Sequence, residues 1–204
     1  MKYTASKKQH RLLPGLIKKF SGYGFLLDIA LFMLITWVFH KLWWQFASEI
    51  KSLDIVINTA DWLAEKVFSA SYAIIHRTYD GDAMREALNT IRFSNGGYIE
   101  VNESCSGLKQ FYQVLVLFIL FPGPWRHKLW FIPFSMLIMH LTNIFRIVAL
   151  GMVTLWLPQH WDFAHDWILR PFFYVVIFML WVWWVERFGG FSRILLQLQK
   201  REDQ

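Results

Sequence analysis

The chain has 204 residues, 55% of them hydrophobic and 19% aromatic, with 12 Trp and 19 Phe. Only 18% are charged, against about 25% in a typical soluble domain, and they cluster between long apolar runs, which excludes an ordinary soluble domain. The net charge of +6 does not point to nucleic acid, because much of it sits at the chain ends. Residues 1–24 hold Lys2, Lys7, Lys8, Arg11, Lys18 and Lys19 and no acid. That pattern predicts a headgroup-facing cytoplasmic tail, by the positive-inside rule, rather than a cleaved signal.

A helical bilayer crossing needs roughly 20 apolar residues. Taken in chain order, the sequence predicts four crossings in an all-α polytopic membrane protein. The first, over 25–46, leaves the cytoplasm. Residues 47–104 follow as an extracytoplasmic segment with nine acids against five bases. Within it, 53–75 is apolar on a helical period but interrupted by Asp54, Asp61, Glu65 and Lys66, which predicts interfacial helices lying on the membrane, against an extra crossing or a re-entrant pair as the rival. Asn95-Gly96-Gly97, before alternating Tyr98-Ile99-Glu100-Val101, predicts a small β-hairpin. The second crossing, over 106–122, returns inward to a basic turn at Arg126, His127 and Lys128. The third, over 130–157, goes out to a short loop at 158–166. The fourth, over 167–186, returns, and 188–204 forms a second basic cytoplasmic tail. The chain thus reads as a single membrane domain over 1–204, with 105–187 carrying the chemistry.

This topology brings three reactive side chains to one leaflet. Cys105 begins the second crossing, Asn143 and Arg146 share a face one turn apart on the third, and His165 ends the outer loop. Cys105 is the chain's single cysteine, so it forms no intramolecular disulfide. A thiol attacks as thiolate, which a nearby cation favours. His165 suits proton transfer. Arg146 is permanently charged and suits the thiolate or an oxyanion. Asn143 is placed to orient Arg146 or to donate to the oxyanion, and Asp166 or Asp162 to orient His165. The bland readings are a packing cysteine whose small neighbours Ser104, Ser106 and Gly107 allow close helix approach, a snorkelling Arg146, and ordinary interfacial histidines at His160 and His165. His140 reads as a packing or hydrogen-bonding residue, Lys109 as a snorkelling one, and the many Trp as interfacial anchors.

The run Val101-Asn102-Glu103-Ser104-Cys105-Ser106-Gly107-Leu108-Lys109 resembles the Cys-Ser-Gly signature of the exosortase/archaeosortase family. Asn143-Ile144-Phe145-Arg146-Ile147 resembles its N-x-x-R-[IV] helix, and His165-Asp166 before the final helix resembles its third motif. The three fall in the family's order, over about 96–187, in a chain that looks like the family's short bacterial members. Lys109 stands where the family often has Arg. The resemblance implies a membrane-embedded cysteine transpeptidase or protease of the bacterial cytoplasmic (inner) membrane. It would process exported proteins that carry a C-terminal motif, a transmembrane helix and a basic end. Cys105 would then be nucleophile, Arg146 charge stabiliser and His165 acid/base residue, with Asn143, Ser106 and Asp166 supporting. The acceptor nucleophile is left open, and no cofactor, metal or nucleic acid enters. The competing readings are a noncatalytic membrane component of a protein-export or polysaccharide assembly system, and a membrane acyltransferase.

Overall fold

The computed structural model describes residues 23–79, 83–86, 89–191 and 193; the tails predicted at 1–24 and 188–204 lie almost wholly outside these. In chain order the helices are α1 (Gly24–Gln45), α2 (Ala47–Lys51) and α3 (Asp54–Thr78), then, after the strands β1 (Ala83–Glu86), β2 (Thr90–Phe93) and β3 (Tyr98–Glu100), α4 (Leu108–Leu120) and α5 (Trp125–Trp156). A 3-10 turn (Pro158–His160), α6 (Trp161–Phe163), a π-helical turn (Ala164–Leu169) and α7 (Arg170–Arg187) form the last arm. The protein is an all-α polytopic membrane protein with a small sheet. Three helical stretches are long and apolar enough to cross a bilayer: Gly24–Gln45, Trp125–Trp156 and Pro158–Arg187. Their exposed side chains include Met33, Trp37, Leu137 and Met179, large apolar groups suited to lipid.

α1, α4, α5 and α7 alternate in direction. Trp43 near the end of α1 packs on Tyr112 near the start of α4. Phe118 meets Phe131, Phe131 meets Trp184, and Phe32 meets Trp181. Both ends of the described chain therefore lie at one end of the bundle. There the buried carboxylate of Asp28 accepts the Phe191 N–H at 2.6 Å. The aromatic core of the bundle includes Phe118, Phe121, Phe131, Trp181 and Trp184, all fully buried.

Several predicted boundaries shift. The second crossing shrinks to the 13-residue α4, about 20 Å by helical rise against a hydrocarbon core of about 30 Å. Gly107, at φ +81°, opens it late, and Pro122-Gly123-Pro124 closes it. Arg126, His127 and Lys128 belong to the first turns of α5 rather than to a free turn. Lys128 is buried there because its Nζ donates to the Ile119 carbonyl at 2.8 Å and lies over the Trp125 ring. A cation at the C-terminal carbonyls of α4 is also favoured by the helix dipole. The predicted outer loop at 158–166 is helical throughout and continues into α7. Pro171 has no N–H to give the preceding turn, and the ladder beside it widens, with the Arg170 N–H donating to the His165 carbonyl.

Away from the chain ends, α5 runs ten residues beyond Arg146, into a second core. α3 is one continuous 25-residue helix rather than several. Its buried Val56, Ala60, Leu63, Val67, Ser71 and Ile75 recur at helical spacing, and its C-terminal half packs on α5 where Gly151 lets Ile75 and Phe93 approach. The hairpin forms between β2 and β3, and β1 extends it to three antiparallel strands. β1 escaped the alternation test because only Ala83 of its four residues is buried. Asn95 fastens this sheet to α5, donating to the carbonyls of Thr154 and Leu155 at 2.7 and 3.1 Å. A Cβ on Gly97 would meet Thr154 at 2.7 Å, so this approach requires glycine. The sheet thereby fixes the chain that leads from β3 to Cys105.

Candidate active site

Cys105 ends a 3-10 turn (Glu103–Cys105) that follows β3 almost directly. Val101 is fully buried and its N–H donates to Asn89. The Asn102 side chain accepts the Ser104 N–H at 3.1 Å, and its carbonyl accepts the Cys105 N–H at 2.9 Å. Ser106 Oγ accepts the Leu108 N–H at 3.2 Å, opening α4. The side chains of Asn102 and Ser106 thus hold the backbone on either side of Cys105. Cys105 is partly buried and packs against the core of α3, α5 and the sheet. Ser104 and Ser106, on either side of it, line a cavity of about 180 Å³ with Trp43, Val56 and Ala60.

The third predicted helix supplies two side chains with different tasks. Asn143 is fully buried, and its Nδ2 donates to the Cys105 carbonyl at 2.6 Å. A Cβ on Gly107 would stand 3.0 Å from that nitrogen, so a glycine is needed both for the turn and for the contact. One turn on, Arg146 is within electrostatic reach of the Cys105 thiol. Its guanidinium lies 5.8 Å from the Phe173 ring centroid, a cation–π contact. Its Nη2 donates to His165 Nε2 at 3.0 Å.

Since arginine only donates, that bond requires His165 Nε2 to be the acceptor. The ring proton is then on Nδ1 and is donated to Asp166 Oδ1 at 2.7 Å. The Trp161 ring stacks on the imidazole, 4.8 Å between centroids and 9° between planes. Arg170 Nη2 completes the series on Asp166 Oδ1 at 3.2 Å. The imidazole is mostly sheltered, whereas Asp166 and Arg170 are about half exposed or more. The π-helical turn carries both His165 and Asp166, and such wide turns recur at functional sites.

The structure therefore brings Cys105, Arg146, His165 and Asp166 into one cluster, with Asn143 holding the cysteine's backbone. Asn143 spends its Nδ2 on the Cys105 carbonyl, its Oδ1 takes no hydrogen bond from Arg146, and Ser106 acts on its own turn. His160 and Asp162 are exposed and outside the series. His140 packs edge-on against Phe111, and its buried Nδ1 has no hydrogen-bond partner among the described residues. Lys109 lies over the Trp44 ring. Sequence reasoning missed Arg170 and Trp161. Arg170 was detectable as the residue four beyond Asp166 on a helix; Trp161 was hidden because 158–166 read as loop. Among the described residues, no group of three or more His, Cys, Asp and Glu is placed to hold a metal ion.

Fold and site together define a polytopic membrane protein with a Cys–Arg–His–Asp cluster where its bundle meets a capping sheet. The family model for transmembrane exosortases matches residues 12–184, and the chain belongs to that family. No curated protein and no solved structure matches it.

Proposed function

We propose that this protein is a membrane-embedded cysteine transpeptidase or protease that cleaves C-terminal sorting tails from exported proteins. The observation that carries the reading is the 3.0 Å contact of Arg146 with His165, backed by Asp166, one turn along α5 from the Asn143 that holds the Cys105 carbonyl. A packing cysteine needs none of these neighbours. Both described chain ends face the cytoplasm in this reading, and the cluster faces the extracytoplasmic side of the inner membrane.

The chemistry follows from the donor and acceptor inventory. The thiol proton passes to His165 Nε2, and Asp166 holds the resulting imidazolium through Nδ1–H. The thiolate sulfur bonds to the scissile carbonyl carbon, and the oxygen takes the displaced electron pair. The Arg146 guanidinium stabilises that oxyanion. As the carbonyl re-forms, the C–N bond breaks and the leaving amine takes the proton from His165. An amine or water then attacks the thioester and gives a proton to His165; the C–S bond breaks, and the released Cys105 thiolate takes that proton back. The substrates would be exported proteins bearing a recognition motif, a transmembrane helix and a basic end. The test is processing of a co-expressed native substrate by wild type and by Cys105→Ala, at equal membrane accumulation. Loss of processing is expected; full processing by the inserted variant would return Cys105 to a packing role.

A further inference from the structure

Two buried polar atoms of the cluster have no hydrogen-bond partner: Asn143 Oδ1 and Arg146 Nε. One only accepts and the other only donates. They are three residues apart on α5, hence neighbours on one face of the helix. The orientation of the Asn143 amide is fixed, because Nδ2 is committed to the Cys105 carbonyl and turning it would set two acceptors against each other. Leaving both atoms unmatched is unfavourable, and in the described arrangement the guanidinium's side-chain bond is made by Nη2 to His165.

We propose that Asn143 is a positioning residue that captures Arg146 Nε through Oδ1 once His165 is protonated, turning the guanidinium fork onto the Cys105 sulfur. This rests on the proposed cysteine chemistry and adds a step to it. While His165 is neutral, its Nε2 lone pair accepts from Arg146. When the Cys105 S–H bond breaks, the proton lands on that lone pair, Nε2 becomes a donor, and the Arg146 bond is lost. Two cations then face each other beside a new thiolate. Asn143 Oδ1 is the acceptor one turn away, so the released guanidinium is held against the nucleophile, whose backbone the same amide grips through Nδ2. One side chain would thus set both the sulfur and the charge that stabilises it.

Arg146 on α5 is the charged group that interacts with Cys105, and its series continues through His165, Asp166 and Arg170 on the last arm; the other elements near the cysteine carry Glu103 on its own turn, Lys109 on α4, and Asp61, Glu65 and Tyr72 on α3. The experiment is the pH midpoint of Cys105 alkylation by iodoacetamide on the full-length protein in detergent, without substrate. Asn143→Leu, close in shape, should raise the midpoint by about one unit, the size expected when a neighbouring cation is lost. In an Arg146→Lys background, which keeps the charge but has no Nε–H, Asn143→Leu should leave the midpoint where Arg146→Lys put it. The same rise in both backgrounds would reduce Asn143 to a holder of the cysteine loop and overturn the proposal, as would no rise at all. Arg146→Gln is the separate control: an unchanged midpoint there would defeat the Cys105–Arg146 pairing itself, and the proposal with it. Variants are compared only at wild-type accumulation and elution. If Asn143→Leu fails that criterion, the small helix former in Asn143→Ala replaces it.

Discussion

Arg146 and Lys are not equivalent at this site, although both carry one positive charge. The guanidinium makes a bond to His165 and a face contact with Phe173 at once, which a point charge on a flexible stem does not reproduce. Arg146→Lys should therefore lower the rate of substrate cleavage by about 10²–10³-fold, the range seen on removing one oxyanion donor. Wild-type cleavage in that variant would leave Arg146 as a nonspecific charge. His165→Ala should lose about 10²–10⁴-fold, the usual share of a positioned acid/base group, whereas the exposed His160→Ala should keep most activity. The reverse order would move proton transfer to His160. Asp166→Asn retains an acceptor for Nδ1–H but no charge to hold the imidazolium, so its loss should be smaller than that of His165→Ala. These assays mean something only at matched accumulation, since removing one partner of a buried pair also destabilises a fold. At this scale much was legible. Cys105, Arg146 and His165 stood out because reactive or charged groups are rare in apolar surroundings and three fell at one depth. What Asn143 does was not legible, because one amide serves as readily for the cysteine's backbone as for an oxyanion, and only three-dimensional contacts choose.

Glycines and prolines set the elements that carry these side chains. Gly107 has a positive φ and touches Asn143, so Gly107→Ala strains the backbone and displaces the amide together. It should reduce cleavage more than accumulation. Equal loss of both would mean a general folding defect. At the opposite end, Gly123 packs so closely on Trp184 that an added Cβ would lie 2.5 Å from its ring. Gly123→Ala should cost about 1–3 kcal/mol, as overpacking does, seen as a lower melting temperature in detergent. An unchanged melt would show that the α4–α5 turn moves aside freely. The long apolar runs were visible from hydropathy, and so was the β2–β3 turn from its Asn-Gly-Gly. The missed features share a cause, which is that local sequence competes with tertiary contacts. Residues 158–166 carry loop-like Pro, Gln, His and Asp, yet they fold as helix against α5. β1 presents a mostly exposed strand with almost no alternation; it is held by its ladder to β2 and by Ala83 in the core, with an exposed Arg92–Glu86 pair at 2.7 Å beside them.

The whole molecule is a bundle in which apolar helices meet lipid at one level and a sheet caps them at another, with the cysteine at the join. Charge asymmetry suggests that the cap is extracytoplasmic. A single cysteine placed at exposed Gln159 in a Cys105→Ala background should react with an impermeant maleimide added outside intact spheroplasts, and one placed at Gln204 should not. Labelling of both, or of neither, would contradict the orientation. The helix alternation was legible because Lys and Arg gather at alternate ends of the apolar runs. The end of α5 was legible to within a residue, but the packing of its last turns into a second core under the sheet was not, because hydropathy does not separate lipid from protein surroundings. The central claim is that Cys105 carries a peptide acyl group. The direct measurement is mass spectrometry of the wild-type protein, purified under acid quench from cells making its native substrate, with and without hydroxylamine. A peptide adduct on Cys105 that hydroxylamine releases, and that Cys105→Ala lacks, is expected. A fatty acyl adduct at Cys105, or no adduct while the substrate is being processed, would contradict it.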